Sequence, residues 1–502
     1  MRLTMRPSEL LGRRKILTDE KEITESNVVD VLRKSYEKHR LNVYDMQFLI
    51  DYELGIQPLM RPKLIRPEID IHVSSGVANY IKEFKLDYNW SSPALLVRKG
   101  NKDLLLEGHE ANDDAISALN SLLQNKEHIG AKDLIMAEFI EVTGIGHTMV
   151  DISVDGDHLF NDYALDSRYA FCVYHNGPGH KKLMGVTFVK RGGKIFFTCF
   201  TDKLRYEITG WEITKVVVNP LMMIPIVEYE RSVDRTGSFE RKISEIDALN
   251  IMMSDYTNDV SQRTQEIWWG NDIEFPKDPT TGETIKPTSG QWVLTFSGGD
   301  KNPKIQPMSS TFTGSSTLNA ITASRTRILQ DCKVPIQYES SGGGSTGTAT
   351  DMSSGWSAAE LDAMREQQMT ERGKREELEL ILRAIKLLPS SVLPETSELR
   401  NIEPTDVDFH FPRRRNYDMA TKANFMATLL AKGFNGRHVI KTADAFENAE
   451  QVWADSKDMI EKIQESIVSK GESSTTDDLG LENTSLQDNS DQLGNSPIAD
   501  KI

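Results

Sequence analysis

Gly342-Gly-Gly-Ser-Thr-Gly347 has the spacing G-x-G-x-x-G, in which glycines let backbone amides approach a pyrophosphate. That chemistry needs a strand directly before the first glycine and a helix opening on the last. Here Val334-Pro-Ile-Gln-Tyr-Glu339 precedes the run and small polar residues continue it to Gly355, so a stretch this rich in glycine matches by accident. No lysine follows Gly347, which removes a phosphate-cradling Walker loop as well. Cys172, His175, His180 and Cys199 are zinc-binding residue types, but no two cysteines are close and the histidines flank a tight turn. Cysteines on apolar strands are more often core residues. Asp113-Asp114 and Asp477-Asp478 are paired carboxylates at a helix start and in an acidic tail, where they complement a helix dipole or face water. Neither a nucleophile elbow nor an HExxH pair is present. The sequence points away from an enzyme and asks for no cofactor and no metal.

Two other groups suit binding. Arg413-Arg-Arg415 could hold phosphate, although a solvated cluster or an inter-subunit ion pair is the first reading. Trp268, Trp269 and Trp292 either form the core of a small β element or mark a partner-docking surface. The most informative feature is the run from Ser340 to Gly355, whose one large apolar side chain is Met352. It cannot recover its ordering entropy by burial, so it reads as a flexible polar loop between two long helices.

The chain has 502 residues, enough for two or more modules, and a formal net charge of -16. That balance argues against adhesive nucleic-acid binding, which needs cations to displace counterions. It is compatible with a wall along which DNA slides. The three dispersed cysteines argue for a reducing compartment. The N-terminus lacks the apolar centre of a signal peptide, and no apolar run reaches the length of a membrane span.

The elements that position these groups follow from periodicity. Asn27–Arg40 reads as a helix behind an Asn27 cap, and Val43–Leu54 as a second one stopped by Gly55. Helices are also expected over Ser74–Lys85 and, twice, between Asp113 and Glu141. Gly144 turns the chain into a strand. Tyr169–His175, Leu183–Lys190, Ile195–Phe200, Arg205–Ile208 and Glu212–Val218 read as an antiparallel meander. Phe239, Ile243, Ile246, Leu249, Met253, Tyr256 and Val260 form one narrow seam on a long helix. A small β excursion, 266–296, leads to a helix over Ser315–Cys332. Ser357-Ala-Ala-Glu360 has capping-box spacing and opens a helix running to Leu388. Val407–Phe411 reads as a strand, followed by helices over Tyr417–Lys432, Gly436–Phe446 and Ala449–Val468. The acidic stretch from Lys470 onward reads as disordered.

Taken in order, these elements resemble the portal proteins of tailed bacteriophages, of the type found in phages of Gram-positive hosts. Tyr52, Gly55, Gln57, Pro58 and Arg61 look like that family's N-terminal pattern. Met223-Ile-Pro-Ile-Val-Glu228, after a meander and before a long helix, resembles its lead-in to the stem. Helix, small excursion, helix, glycine-rich loop and long helix are the family's arrangement, and Phe409–Pro412 resembles the strand leading into its crown.

The resemblance implies an α+β, multi-domain ring subunit. It would comprise an N-terminal arm (1–26), a wing with the meander (27–238), two stem helices (239–265 and 311–333) and a clip (266–310). A channel loop (334–356), a long wing helix (357–404), a crown (405–469) and a tail (470–502) complete it. It implies a homo-oligomeric ring, typically a dodecamer, at one capsid vertex of the virion, assembled in the host cytoplasm and with no membrane association. Double-stranded viral DNA would pass through without sequence preference. Partners would be the terminase large subunit, the major capsid and scaffolding proteins and a head-completion adaptor. The loop residues that would meet DNA are Ser340, Ser341, Gly342, Gly343, Gly344, Ser345, Thr346, Gly347, Thr348, Thr350, Asp351, Ser353 and Ser354. Glu240, Ser244 and Asp247 would face the channel, with Arg325 and Lys333 as weak phosphate contacts. Trp268, Trp269 and Trp292 would dock partners on the clip. The alternative from another class is a cellular oligomeric scaffold or adaptor with a flexible interaction loop.

Overall fold

The computed structural model describes residues 12–58, 70–98, 113–152, 159–263, 267–275, 291–296, 302–307, 314–336, 355–412 and 419–443, with scattered positions at 277, 279–280, 298–299, 446, 452–453, 456–457, 459–460 and 462. By its contacts the chain divides into two units, Met1–Arg413 and Arg414–Ile502. The fold class is α+β, as the sequence predicts.

In the first unit a short strand, β1 (Ile16–Thr18), leads to α1 (Val28–Glu53). Where the sequence predicts two helices there is one. The polar interruption is a docking point, not a break. Asn42 is buried, accepts the Arg14 amide at 2.9 Å and donates to the Arg14 carbonyl at 2.8 Å, while Asp45 takes the Arg14 guanidinium at 2.8 Å. One side-chain amide thus satisfies both backbone groups of the incoming arm. Asn27 does not cap the helix; its Oδ1 turns back to the Thr24 amide at 2.8 Å. Gly55, at φ 84°, ends the helix as expected.

Then come α2 (Val77–Trp90), β2 (Leu95–Arg98), α3 (Asp113–Ser121), a π turn over Leu122–Lys126 and α4 (Ile129–Thr143). Gly144, at φ 83°, turns α4 into β3 (Ile145–Ile152), and a Cβ there would lie 2.3 Å from the Arg235 carbonyl oxygen. Glycine is the residue that fits. β4 (Phe160–Leu165) follows, a strand the sequence reading did not pick out.

The meander is present as β5 (Ala170–His175), β6 (Lys182–Arg191), β7 (Lys194–Phe200), β8 (Leu204–Thr209) and β9 (Glu212–Val218). Together with β1, which runs parallel to β5, it forms a six-stranded sheet in the order β1-β5-β6-β7-β8-β9. α1 covers one face, where Val28, Val31, Leu32 and Tyr36 meet Val173, Val186, Phe188, Phe197 and Tyr206. Tyr36 sets its edge on Phe188 and Phe197 at 5.3 and 5.2 Å, pairs worth about 0.5–1.5 kcal/mol each beyond burial.

β10 (Ile226–Glu230) pairs with β3, giving a second sheet in the order β10-β3-β4. A 3-10 turn, Glu240–Lys242, opens α5 (Ile243–Arg263). A small sheet of β11 (Ile267–Asn271), β12 (Gln291–Thr295) and β13 (Lys304–Pro307) separates it from α6 (Gly314–Asp331).

The longest helix, α7 (Trp356–Leu387), follows. The capping box expected at Ser357 is not formed. Gly355, at φ 89°, precedes the helix, Ser357 lies inside it, and Glu360 instead accepts the Tyr88 hydroxyl. α7 lies over the second sheet, where Gly373 passes so close to Tyr229 that a Cβ would come within 2.4 Å of the ring. β14 (Val407–His410) pairs with β2 inside the first unit. The second unit contains α8 (Met419–Ala431) and α9 (Gly436–Ala443).

Candidate nucleic-acid interface

α5 and α6 pack as an antiparallel pair. Lys242, at the start of α5, reaches Asp331, at the end of α6, at 2.6 Å. The helices are about 32 and 27 Å long at ~1.5 Å per residue. The apolar seam of α5 is closed at one end by its own chain: Phe239, Ile243, Ile246 and Leu249 are buried with Phe48, Leu49 and Tyr52 of α1, Val77 and Ile81 of α2, and Ile328 of α6. At the other end Val260 is exposed.

A second stripe of α5 is polar. Asn258 receives the Ile71 amide at 2.9 Å, Ser254 the Val73 amide at 3.0 Å and Asn250 the Ser75 amide at 2.8 Å. Four helical residues rise about 6 Å and two extended residues about 6.6 Å, so side chains one turn apart meet alternate amides of a strap laid along the helix. The N-terminal motif clamps the same helix. The Tyr52 hydroxyl donates to Asp247 at 2.7 Å and Gln57 accepts from the Asn250 amide.

The candidate channel residues separate on this frame. Glu240 is a correction. It is 3 % exposed, pairs with Arg13 at 2.6 Å and accepts the Gly237 amide at 2.8 Å, so its carboxylate does not reach solvent. Burial pushes its pKa up against the opposing pull of Arg13. The expectation treated it as a free position on the polar face, because Arg13 is 227 residues away in sequence. Asp247 is half-buried under Tyr52. Ser244, Arg325 and Lys333 are exposed, with the Arg325 guanidinium 5.8 Å from the Tyr80 ring and Lys333 just past α6 at φ 60°. The loop residues Ser340 to Ser354, Arg413-Arg-Arg415, Arg61 and the tail from Lys470 lie outside the described residues.

Of the tryptophans, Trp268 and Trp292 pair across β11 and β12 and stack at 5.8 Å, with Phe275 edge-on to Trp292 at 5.1 Å. Both are half-buried in that stack. Trp269, the next residue along β11, points to the other face and is half-buried.

No zinc site assembles from the sequence candidates. Cys172 belongs to the cluster with Tyr174, Phe200 and Ile226, Cys199 to the one under α1, on the opposite face of the sheet. His175 and His180 bond to backbone carbonyls. Among the described residues, one other trio, His147, Cys172 and Glu228, is close enough to hold an ion. However, Glu228 is already filled by Arg235 (2.9 Å), the Tyr174 hydroxyl (3.0 Å) and His147 (3.2 Å), and the Arg235 charge opposes a second cation. Burial pushes Glu228 up, but Arg235 and His147 outweigh it and hold it well below the usual carboxylate range.

A second buried ionic cluster is one that the sequence did not suggest. Lys132 of α4 contacts Asp162 and Glu377 at 2.6 Å each, and Lys374 contacts Asp133 at 2.6 Å and Glu377 at 2.7 Å. Burial raises the Asp162 pKa to about 7, with the Glu377 charge adding to it. A signal was available: Lys132 and Asp133 stand side by side among the apolar residues of α4, where an unpaired charge would be costly. Among the described residues, no helix is long and apolar enough to cross a membrane.

No curated protein matches the chain. The model of the family described as phage portal protein, SPP1 Gp6-like, matches residues 122–466, from just after α3 into the second unit. With that match covering most of the chain, and the helix pair, small sheet and long helix in the order described, the chain belongs to the SPP1 Gp6-like family of phage portal proteins.

Proposed function

We propose that this portal subunit assembles into a closed ring, a dodecamer, at one capsid vertex of the virion. Double-stranded viral DNA is packaged and later ejected through its axial channel. The observation that carries this reading is the antiparallel α5–α6 pair, two rod-like helices with the small sheet between them in the chain. Side by side about an axis, such rods make a tube.

In this reading residues 239–265 and 311–333 are the stem, 266–310 the clip, 334–356 the channel loop, 1–238 with 357–404 the arm and wing, and 405–469 the crown. The clip, at the surface around Trp269, takes the terminase large subunit during packaging and the head-completion adaptor afterwards. The wing meets the major capsid and scaffolding proteins in the host cytoplasm. The polar residues from Ser340 to Ser354 follow the duplex without reading bases, since phosphate contacts position and carry no sequence information. Arg325 and Lys333 supply weak phosphate contacts, and Ser244 a neutral one. With a net charge of -16, so few cations leave the DNA free to slide. The subunit is structural and performs no chemistry.

End-on images of the purified particles test the ring: a hole wide enough for a duplex is expected, and a monomer or dimer overturns it. Arg325→Glu with Lys333→Glu should change stability by no more than about 0.5 kcal/mol while lowering packaging. Unchanged packaging removes these two side chains from the DNA path.

A further inference from the structure

α7 begins directly after the Ser340–Gly355 run, and its first turns are seated on a cluster of charges. Three carboxyl groups meet there: Asp362 and Glu366 of α7 and Glu141 of α4. They face two cations, Lys85 of α2 and Arg231 just after β10. Lys85 holds Asp362 at 2.8 Å, and Arg231 donates to Glu141 at 3.0 Å, leaving Glu366 and Asp362 at 3.5 and 3.6 Å. Glu141 is fully buried and Glu366 is 5 % exposed. Both Glu366 oxygens and Glu141 Oε1 have no N–H or O–H donor, and the two carboxyls converge on the one Arg231 guanidinium. Two ionised carboxylates are acceptors only and repel; one proton between them makes an O–H···O bond.

We propose that α7 is held by a proton-dependent latch. A proton shared between Glu366 and Glu141 locks the N-terminal half of the helix onto α4, α2 and β10, and its loss as pH rises frees that half. Asp362 is not the carrier: burial pushes it up, but Lys85 and Arg231 outweigh this and hold it low. Glu366 is driven well above the usual carboxylate range by burial first and by the Glu141 charge second. Beside it lies a small cavity lined by Asn89, Trp90, Gln367 and Thr370, in which a water's centre can range over about 20 Å³, room for one molecule. The Asn89 amide and Trp90 indole N–H there lack partners, so a water at this point has bonds to make and gives the proton a way in and out. The proton leaves as hydronium or to hydroxide, with no other bond changed.

Because the latched pKa lies above the usual 4.5 of a free glutamate, the latch contributes fully below that value and is lost as pH rises through the latched one. The test is amide hydrogen exchange of residues 356–370 in the full chain, comparing wild type with Glu366→Gln, which keeps the hydrogen bond without the charge. The wild-type to variant ratio of exchange rates should climb roughly tenfold per pH unit across the window where the latch titrates. A ratio that does not change with pH overturns the latch. Infrared difference spectra give a second readout: wild type should show a protonated-carboxyl band that Glu366→Gln lacks, and identical spectra overturn the proposal. Should Glu366→Gln not fold, Glu141→Gln carries the same two expectations.

Discussion

α5 and α7 are both long helices with buried polar side chains at steps of about one turn, yet they bury them by opposite means. On α5 the stripe Asn250, Ser254 and Asn258 is neutral and bonds to backbone amides of the strap. On α7 the stripe Asp362, Glu366, Lys374 and Glu377 is charged and bonds to other charges. A neutral bond contributes about 0.5–1.5 kcal/mol and is indifferent to pH. A buried ion costs several kcal/mol to desolvate and recovers it only while every partner is in place. The first arrangement is a rigid splint; the second is sensitive to single substitutions and to protons.

The largest effect that would sharpen this contrast is at α7. Lys374→Met leaves Asp133 and Glu377 each short of a cation and should cost about 3–5 kcal/mol in denaturant unfolding, a cost that grows as pH rises. A loss below ~1 kcal/mol would mean the network is solvated and the contrast is wrong. Between the two extremes stands His39 on α1, stacked on Phe171 at 4.6 Å and bonded to the Arg168 carbonyl at 3.1 Å. Burial lowers its pKa from 6.5 to about 4. The folded state therefore binds fewer protons than the unfolded one; its contribution is present above pH 6.5 and is lost as pH falls to about 4, amounting to about 3 kcal/mol. His39→Phe should remove that part of the acid slope, measured as unfolding midpoint against pH. The smallest effect belongs to α5. Ser254→Ala orphans the Val73 amide and should cost about 1–2 kcal/mol, equally at every pH between about 5 and 9. A pH-dependent cost there would erase the distinction between the two helices.

Much of the architecture was legible from local pattern. The meander, α5, α6, α7 and the small sheet follow from alternation, helical spacing and turn residues, which act within a few positions of one another. The misses have physical causes. α1 was divided at Asn42 because a buried asparagine looks like a loop residue until its partner, Arg14, is placed beside it. β4 and β10 were missed because Asn161, Asp162 and Glu228 look solvated in one dimension. For the candidate site, the resemblance pointed to the helices α5 and α6, but which of their side chains are open was not legible: Glu240 lies on the same face by spacing as Ser244 and is nevertheless buried.

By itself the sequence determined the meander, the long helices from α5 to α7, the acidic balance and the portal likeness, since each depends on neighbours in the chain or on sums over it. The tertiary structure alone decided which charges are interior. Lys132 meets Glu377 across 245 residues, and only the fold brings them together in a medium where charge must be matched or a proton retained.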